Sequence, residues 1–240
     1  MRKGIIICVA GNGSRVGGNT PKQFIQIGEK RMIDYTIDTI FESGLFNDIV
    51  IMVRNEDLTK GLYAKYVSKG AWVIRGDEKD GQNTRKMGLE FCKEVLGYQN
   101  RDLIGIADGN RPFIDVDFYK KLVKEAEEYG NAIPYVIQKD ILLIKNGDNV
   151  DNSEQTRDKF FSTIAPSFFP FGVVKDAYDI ASEKNTLSTS EGLVNLVVDK
   201  LKRMNITKWI HFVKGDAIYF KVTTPDDVEM AKLIAKGLGK

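Results

Sequence analysis

Runs of apolar residues of strand length alternate with segments of helical spacing over the first half of the chain. The apolar runs lie at 4–10 (GIIICVA), 48–53 (DIVIMV), 71–75 (AWVIR) and 102–107 (DLIGIA). Between them, apolar side chains recur at helical spacing over 33–45, 62–66 and 87–95. Nearly continuous apolar runs are typical of strands buried on both faces. The order therefore predicts an α/β fold, with a mostly parallel, Rossmann-like sheet flanked by helices.

The alternation is interrupted after residue 130. Strand-like segments at 132–138 and 140–151 follow each other, and the second contains Asn146-Gly147, a strong hairpin signal. We expect a β-hairpin arm over about 137–160, either inserted in the sheet or projecting from it. The chain contains no low-complexity linker and no internal repeat, so residues 1–240 are predicted to form a single domain.

The last third of the chain returns to alternating elements. A helix is predicted near 172–183, and a second begins at Ser188, where Ser188 and Glu191 have the spacing of a capping box. Late strands are predicted at 209–213 and 217–222, and Trp209 and the aromatic residues of FFSTIAPSFF (160–169) are expected in the core. Thr224 is predicted to cap a final helix, with Pro225 at its first position.

Composition and charge narrow the function classes. The chain has 42% hydrophobic and 28% charged residues, as in ordinary globular proteins, and a net charge of +2. That small charge argues against a nucleic-acid partner bound through bulk charge. No apolar run has membrane-spanning length, and the first residues do not resemble a signal peptide, so we expect a cytoplasmic protein with no membrane partner. Cys8 and Cys92 are expected to be buried, reduced thiols.

A glycine-rich loop with two cations follows the first strand. The segment 9–24, VAGNGSRVGGNTPKQF, contains Arg15 and Lys22. It lacks the Walker A pattern, and Val16 stands where the dinucleotide fingerprint needs its third glycine. Two cations beside flexible backbone favour phosphoryl chemistry, where negative charge develops in the transition state, and Pro21 would help to direct Lys22. Solvated surface cations are the alternative interpretation.

Five segments together resemble one enzyme family. The glycine loop resembles the nucleotide-binding signature of the CTP-dependent cytidylyltransferases that include CDP-methylerythritol synthases and ribitol-5-phosphate cytidylyltransferases. Four further segments resemble that family's motifs in the same order: GDEKDGQNTRKMGL (76–89), ADGNRPFI (107–114), TIAPSFF (163–169) and VKGDAIYFKVTTPDDVEMA (213–231). The loop and C-terminal motifs lean toward the ribitol-phosphate branch.

The resemblance implies transfer of CMP from CTP to the phosphate of a small phosphorylated polyol, with release of pyrophosphate. It implies catalytic cations at Arg15, Lys22 and Lys221. It implies CTP contacts through Val9, Ala10, Gly11, Asn12, Gly13, Asp80 and Thr84. It also implies acceptor binding by Arg111 and Arg157, Mg²⁺ held by Asp108, and a homodimer whose sites receive Arg157 from the neighbouring subunit. Such chemistry needs no general base, because a phosphate monoester with a second pKa of about 6 is already largely dianionic.

Departures from the family pattern leave the acceptor open. Ala107 replaces a histidine before the metal-binding aspartate, and Thr189-Ser190 replaces a Thr-Asp pair that faces the acceptor alcohol. Asp108 also has a simpler interpretation as a turn residue, since it precedes a glycine. A nucleotidyltransferase that uses another NTP with a sugar phosphate or phosphonate, and a non-catalytic nucleotide-binding protein, are the alternatives. A dehydrogenase comes last.

Overall fold

A computed structural model describes residues 1–11, 20–140, 142, 144–147, 149–151, 160–183, 192–206 and 209–239. Several residues singled out from the sequence lie outside the described residues: Asn12, Gly13, Arg15, Arg157, Ser188 and Glu191.

Strands and helices alternate along most of the chain. The strands are β1 (Lys3–Cys8), β2 (Gln26–Ile27), β3 (Lys30–Arg31), β4 (Asp48–Val53), β5 (Trp72–Arg75), β6 (Leu103–Asp108), β7 (Ile133–Ile137), β8 (Ile144–Asn146), β9 (Asn149–Asp151), β10 (Phe161–Thr163), β11 (Ser167–Pro170) and β12 (Phe212–Lys214). The helices are α1 (Met32–Ser43), α2 (Asn55–Thr59), α3 (Ala64–Val67), α4 (Gly81–Glu94), α5 (Val116–Tyr129), α6 (Phe171–Glu183), α7 (Leu193–Arg203) and α8 (Pro225–Gly237).

The central sheet has five strands in the order β11-β6-β1-β4-β5. Strand β1 pairs in parallel with β4 and β6, β4 pairs in parallel with β5, and β11 runs antiparallel to β6. Ile5 and Ile7 pack into the core on one face of the sheet and Ile6 into the core on the other, and all three are fully buried. Burial on both faces explains the continuous apolar run and confirms the predicted α/β fold with its mostly parallel sheet.

Two smaller sheets are formed by the segment after residue 130. Strands β10, β7 and β12 form one of them, and β8 and β9 form the predicted hairpin, in which Asn146 lies opposite Asn149. Gly147 in its turn has φ +60°, a left-handed conformation that glycine adopts without strain. The hairpin prediction at Asn146-Gly147 is therefore confirmed, and β7–β9 break the helix–strand alternation as expected.

The predicted strand over 217–222 is wrong. A 3-10 turn covers Ala217–Tyr219, and the Asp216 carboxylate caps it by accepting a hydrogen bond from the Ile218 N–H at 3.0 Å. The backbone that follows pairs with the loop after β6 instead of a sheet edge, since the Val222 N–H donates to the Asn110 carbonyl at 2.9 Å. Tertiary contacts thus replace the strand that the apolar pattern favours.

The other C-terminal predictions have mixed outcomes. Thr224 caps α8 with a full capping box that includes Asp227, as predicted. Phe168 and Phe169 are fully buried, but Phe161 is 41% exposed, so the expectation of a core position is wrong for Phe161. Its ring packs instead against Phe212, which is also partly exposed, in the sheet formed by β10, β7 and β12, with ring centroids 4.8 Å apart. No helix among the described residues has the length and apolar character needed to cross a membrane.

Candidate active site

The carboxyl ends of β1 and β6 lie side by side, with Cys8 opposite Asp108. Ligands of open α/β sheets bind beyond this end of the strands. The backbone at Gly109 packs closely against Val9, since a Cβ atom on Gly109 would lie 2.1 Å from Val9 Cγ1. Only glycine allows so close an approach directly after Asp108, which ends β6.

Three cations surround the Asp108 carboxylate. Oδ2 lies 3.1 Å from Lys221 Nζ and 3.3 Å from Arg111 Nε, and Oδ1 lies 3.4 Å from Arg85 Nη2. Burial alone would raise the pKa of Asp108. The positive charges of Lys221, Arg111 and Arg85 outweigh this effect and hold the pKa well below its usual range. The carboxylate is therefore ionised, and these four side chains carry an excess of positive charge. We call them the charge cluster.

Hydrogen bonds with the loop after β6 hold the backbone beside Lys221 in this position. The Asn110 side-chain amide donates to the Val222 carbonyl, and the Val222 N–H donates to the Asn110 carbonyl at 2.9 Å. Asn110 is buried, so this reciprocal pair fixes the backbone next to Lys221. Residues far apart in sequence are thereby held together beyond the carboxyl end of β6.

Arg111 is anchored on two sides. Its Nη1 donates to the Tyr219 carbonyl at 2.9 Å, while its Nε contacts Asp108. The Tyr219 hydroxyl in turn donates to the Asp115 carboxylate at 2.6 Å, which ties the 3-10 turn to the start of α5. The guanidinium of Arg111 is thus fixed by a neutral carbonyl as well as by the carboxylate.

Arg85 was missed by the sequence reasoning, which singled out its neighbour Thr84. It extends from α4, where its Nη1 donates to Gln82 Oε1 at 2.9 Å, and the Tyr178 hydroxyl donates to the same oxygen at 2.9 Å. Gln82 is 1% exposed and Tyr178 is fully buried. The spacing of Gln82 and Arg85 places them on the same face of α4, but their burial and the contact with Tyr178 are visible only in the structure.

Two cavities meet at the charge cluster. The first, of about 280 Å³, lies against the β1 loop and the start of α4 and is lined by Val9, Ala10, Gly11, Lys22, Thr84 and others. The second, of about 400 Å³, is lined by Arg111, Thr163, Ser167, Asn195 and others. Arg85, Asp108 and Lys221 line both cavities. Two ligands can therefore lie next to each other with cations between them.

The structure brings most of the predicted residues that it describes to these cavities. Lys22 lies in a 3-10 turn, Lys22–Phe24, and lines the first cavity with the backbone of the β1 loop. The Thr84 hydroxyl donates to the Asp77 carbonyl at 2.7 Å and accepts from its N–H at 2.9 Å. The Asp80 carboxylate caps α4 by accepting from the Gln82 N–H at 2.8 Å. Thr84 and Asp80 thus shape this loop, and their contacts with CTP stay a prediction.

The two cysteines differ in position. Cys92 is buried in the core, as predicted. Cys8 is half-buried and lines the first cavity, so the expectation that it is buried is wrong. Burial raises the pKa of Cys8 to about 11, although the Arg85 guanidinium acts in the opposite direction. The thiol is therefore neutral near pH 7.

The chain resembles known cytidylyltransferases over nearly its whole length. Residues 4–236 match the family model described as "IspD: 2-C-methyl-D-erythritol 4-phosphate cytidylyltransferase". A 2-C-methyl-D-erythritol 4-phosphate cytidylyltransferase of Caldicellulosiruptor saccharolyticus is 30% identical over 98% of both chains. A ribitol-5-phosphate cytidylyltransferase of Lacticaseibacillus paracasei is 26% identical over 95% of both chains.

A solved structure supports the fold independently. The crystal structure of 4-diphosphocytidyl-2C-methyl-D-erythritol synthase from Anaerococcus prevotii superimposes with a TM-score of 0.77 and covers 98% of this chain and 96% of that one, at 17% identity. The family match, together with a relative of 30% identity that spans the chain, shows that this protein belongs to the IspD family of cytidylyltransferases, which are nucleotidyltransferase enzymes.

Proposed function

We propose that the protein transfers the cytidylyl group of CTP to the phosphate of 2-C-methyl-D-erythritol 4-phosphate and releases pyrophosphate. The observation that carries the proposal is the charge cluster at the border of two adjoining cavities. CTP would occupy the cavity beside the β1 loop, and the acceptor would occupy the cavity lined by Arg111. The family match and the relatives named for this acceptor support the choice.

The cations answer the main obstacle to this reaction, which is repulsion between two anionic substrates. An oxygen of the acceptor phosphate forms a bond to the α-phosphorus of CTP, and the bond from that phosphorus to the bridging oxygen of pyrophosphate breaks. Lys22 and Lys221 would neutralise the nucleotide phosphates, and Arg111 would bind the acceptor phosphate through its planar guanidinium. Preorganised cations of this kind stabilise charge that develops in the transition state.

Mg²⁺ would bind through Asp108 together with oxygens of the nucleotide phosphates. Among the described residues no group of three His, Cys, Asp or Glu side chains lies close enough to hold a metal ion. The donor set still suits Mg²⁺, which proteins commonly bind through one or two carboxylates plus substrate phosphates. When bound, the ion supplies positive charge to the triphosphate. Asp108→Asn should then raise the Mg²⁺ concentration needed for half-maximal rate, and an unchanged metal titration would remove this role.

Ribitol 5-phosphate is the second candidate acceptor. The relative from Lacticaseibacillus paracasei and the loop and C-terminal motifs favour it. Pyrophosphate release from CTP, ATP, GTP and UTP with each of the two acceptors and with glycerol 3-phosphate would separate the candidates by kcat/KM. We expect the highest kcat/KM with CTP and 2-C-methyl-D-erythritol 4-phosphate. No product from any pair would refute the enzymatic proposal.

Exposed aromatic side chains on the sheet formed by β10, β7 and β12 support a homodimer. Phe161 and Phe212 are 41% and 43% exposed, and Tyr135 packs against Phe161 with ring centroids 5.2 Å apart. An exposed aromatic surface beside a hairpin suits contact with a second copy of the chain. Arg157 would then enter the acceptor site of the partner. Mixing inactive Lys22→Ala and Arg157→Ala proteins should restore part of the activity, and no recovery despite verified subunit exchange would exclude a shared site.

A further inference from the structure

Arg85 stands between the two cavities, and the roles assigned to the other cations leave it without one. Its side chain is 20% exposed and lines both cavities, as do Asp108 and Lys221. Arg85 Nη2 is 3.4 Å from Asp108 Oδ1, whereas Lys221 and Arg111 contact the other oxygen at 3.1 and 3.3 Å. The carboxylate thus has two closer cations on its other oxygen, and Arg85 makes only one, longer contact with it.

Two buried neutral groups hold the Arg85 guanidinium in place. Gln82 Oε1 accepts hydrogen bonds from Arg85 Nη1 and from the Tyr178 hydroxyl, each at 2.9 Å. Tyr178 comes from α6 and Gln82 from the first turn of α4, so two helices fix the direction of the side chain. The planar guanidinium is thus held in one orientation and can offer its remaining N–H donors to two oxygens of a phosphate group.

The charge balance indicates what Arg85 binds. Three cations and one carboxylate leave excess positive charge in a half-enclosed site, and such an excess is stabilised when anions enter it. Two phosphate groups must come together there in the proposed reaction. Lys22 and Arg111 each line only one of the cavities, whereas Arg85 lies at their border.

We propose that Arg85 binds both phosphates across the border of the two cavities, the α-phosphate of the nucleotide and the phosphate of the acceptor. Gln82 and Tyr178 act as positioning residues that hold the guanidinium. The inference rests on the proposed function for the identity of the two phosphates. It adds to that function a fourth cation, beside Lys22, Lys221 and Arg111, which lowers the repulsion between the attacking oxygen and the α-phosphate.

Kinetics of three variants test the role of Arg85 in catalysis. Arg85→Met should lower kcat by about 10²–10³, the usual effect of removing one electrostatic contact to the transition state. Lys86→Met is the matched control, because Lys86 lies on the same helix, contacts Ser182 Oγ at 2.9 Å and lines neither cavity. Its kcat should stay at the wild-type value. Tyr178→Phe should raise the KM of the acceptor, since it removes only the hydroxyl that positions Gln82.

Chemical rescue separates direct binding from a structural role. Added guanidinium ion should restore part of the kcat of Arg85→Ala and should leave the kcat of Lys86→Met unchanged. Arg85→Lys keeps a positive charge beside Asp108, so it replaces Arg85→Met and Arg85→Ala in these measurements if those neutral variants do not fold. It should still lose much of kcat, because an ammonium lacks the planar fork. Wild-type kcat in either Arg85→Met or Arg85→Lys would overturn the proposal.

A binding measurement keeps this test independent of the reaction. Calorimetry with inorganic tripolyphosphate needs neither CTP nor an acceptor. Arg85→Met should weaken tripolyphosphate binding about tenfold, as expected for loss of one hydrogen bond to a charged group, and Lys86→Met should not change it. If the wild-type protein forms no product but the binding result holds, the proposed function fails and the phosphate role of Arg85 stands. Equal affinities for wild type and Arg85→Met would refute that role.

Discussion

Replacing Asp108 with asparagine removes the charge that the three cations share while keeping the size of the side chain. The side chain of Asp108 is 10% exposed, and those of Arg85, Arg111 and Lys221 are 20%, 12% and 35% exposed. In the variant the cations repel each other across a partly buried site. We therefore expect Asp108→Asn to destabilise the folded protein in the absence of phosphate ligands.

The magnitude follows from the burial of the partners. Breaking a buried ion pair by removing one partner costs about 3–5 kcal/mol, whereas exposed pairs contribute about 0–1 kcal/mol. Because Lys221 is more than a third exposed, solvent screens its share. We expect a loss of about 2–3 kcal/mol in the free energy of unfolding. For a chain of this size that corresponds to a decrease of about 4–12 °C in Tm.

A second buried carboxylate provides the control. Asp48 is 6% exposed, lies 2.7 Å from Arg2 Nε and accepts a hydrogen bond from Tyr98 at 2.9 Å. It stands at the amino end of β4, whereas Asp108 stands at the carboxyl end of β6. Asp48→Asn should destabilise the protein by a comparable amount, but without any change in phosphate binding.

Thermal unfolding with and without pyrophosphate is the decisive assay. A ligand that binds the folded state raises Tm according to its affinity. Pyrophosphate should raise Tm more in Asp108→Asn than in the wild type, because it replaces the missing negative charge. It should raise Tm equally in Asp48→Asn and the wild type. An equal increment in all three proteins, or no destabilisation of Asp108→Asn, would refute the electrostatic reasoning.

Three further outcomes are expected. Lys22→Ala should lower kcat by about 10²–10³ and change CTP affinity less, as measured by steady-state kinetics and calorimetry; a near-normal kcat would exclude a catalytic role. The pKa of Asp108 in the folded state lies below the ordinary value of about 3.9. The carboxylate therefore contributes its full stabilisation above about pH 4, and this contribution declines as the pH falls below that value. The difference in unfolding free energy between wild type and Asp108→Asn should shrink below about pH 4. Phe212→Ser should sediment as a monomer if the exposed aromatic surface forms the dimer contact, and an unchanged sedimentation coefficient would place the contact elsewhere.

Features that depend on local sequence could be predicted well. The apolar run of β1 indicated a strand buried on both faces, and Ile5 and Ile6 confirm it. Thr224 with the following proline predicted the start of α8, because capping needs only neighbouring residues. Asp108 was recognised as a site candidate through the resemblance of residues 107–114 to a family motif, and the structure places it at the carboxyl end of a buried parallel strand, where such sheets bind ligands.

Features that depend on distant residues could not be predicted this way. The Tyr219 carbonyl accepts a hydrogen bond from Arg111, which lies 108 positions earlier in the chain. The segment around Tyr219 forms a 3-10 turn and not the predicted strand. The position of Arg85 depends on Tyr178 on another helix, which no local periodicity reveals. The antiparallel pairing of β11 with β6 is likewise a long-range contact. Apolar patterns indicate which face is buried and leave open what covers it.

Each cation of the charge cluster has an anchor other than Asp108. Gln82 holds Arg85, the Tyr219 carbonyl holds Arg111, and the backbone beside Lys221 is fixed by the pair between Asn110 and Val222. Cations fixed in this way need little reorganisation when the phosphates arrive, which is the condition for strong electrostatic catalysis. The positions of the cations therefore depend only partly on the carboxylate. Consequently Asp108→Asn changes the charge of the site far more than its shape, and its response to pyrophosphate reports on charge.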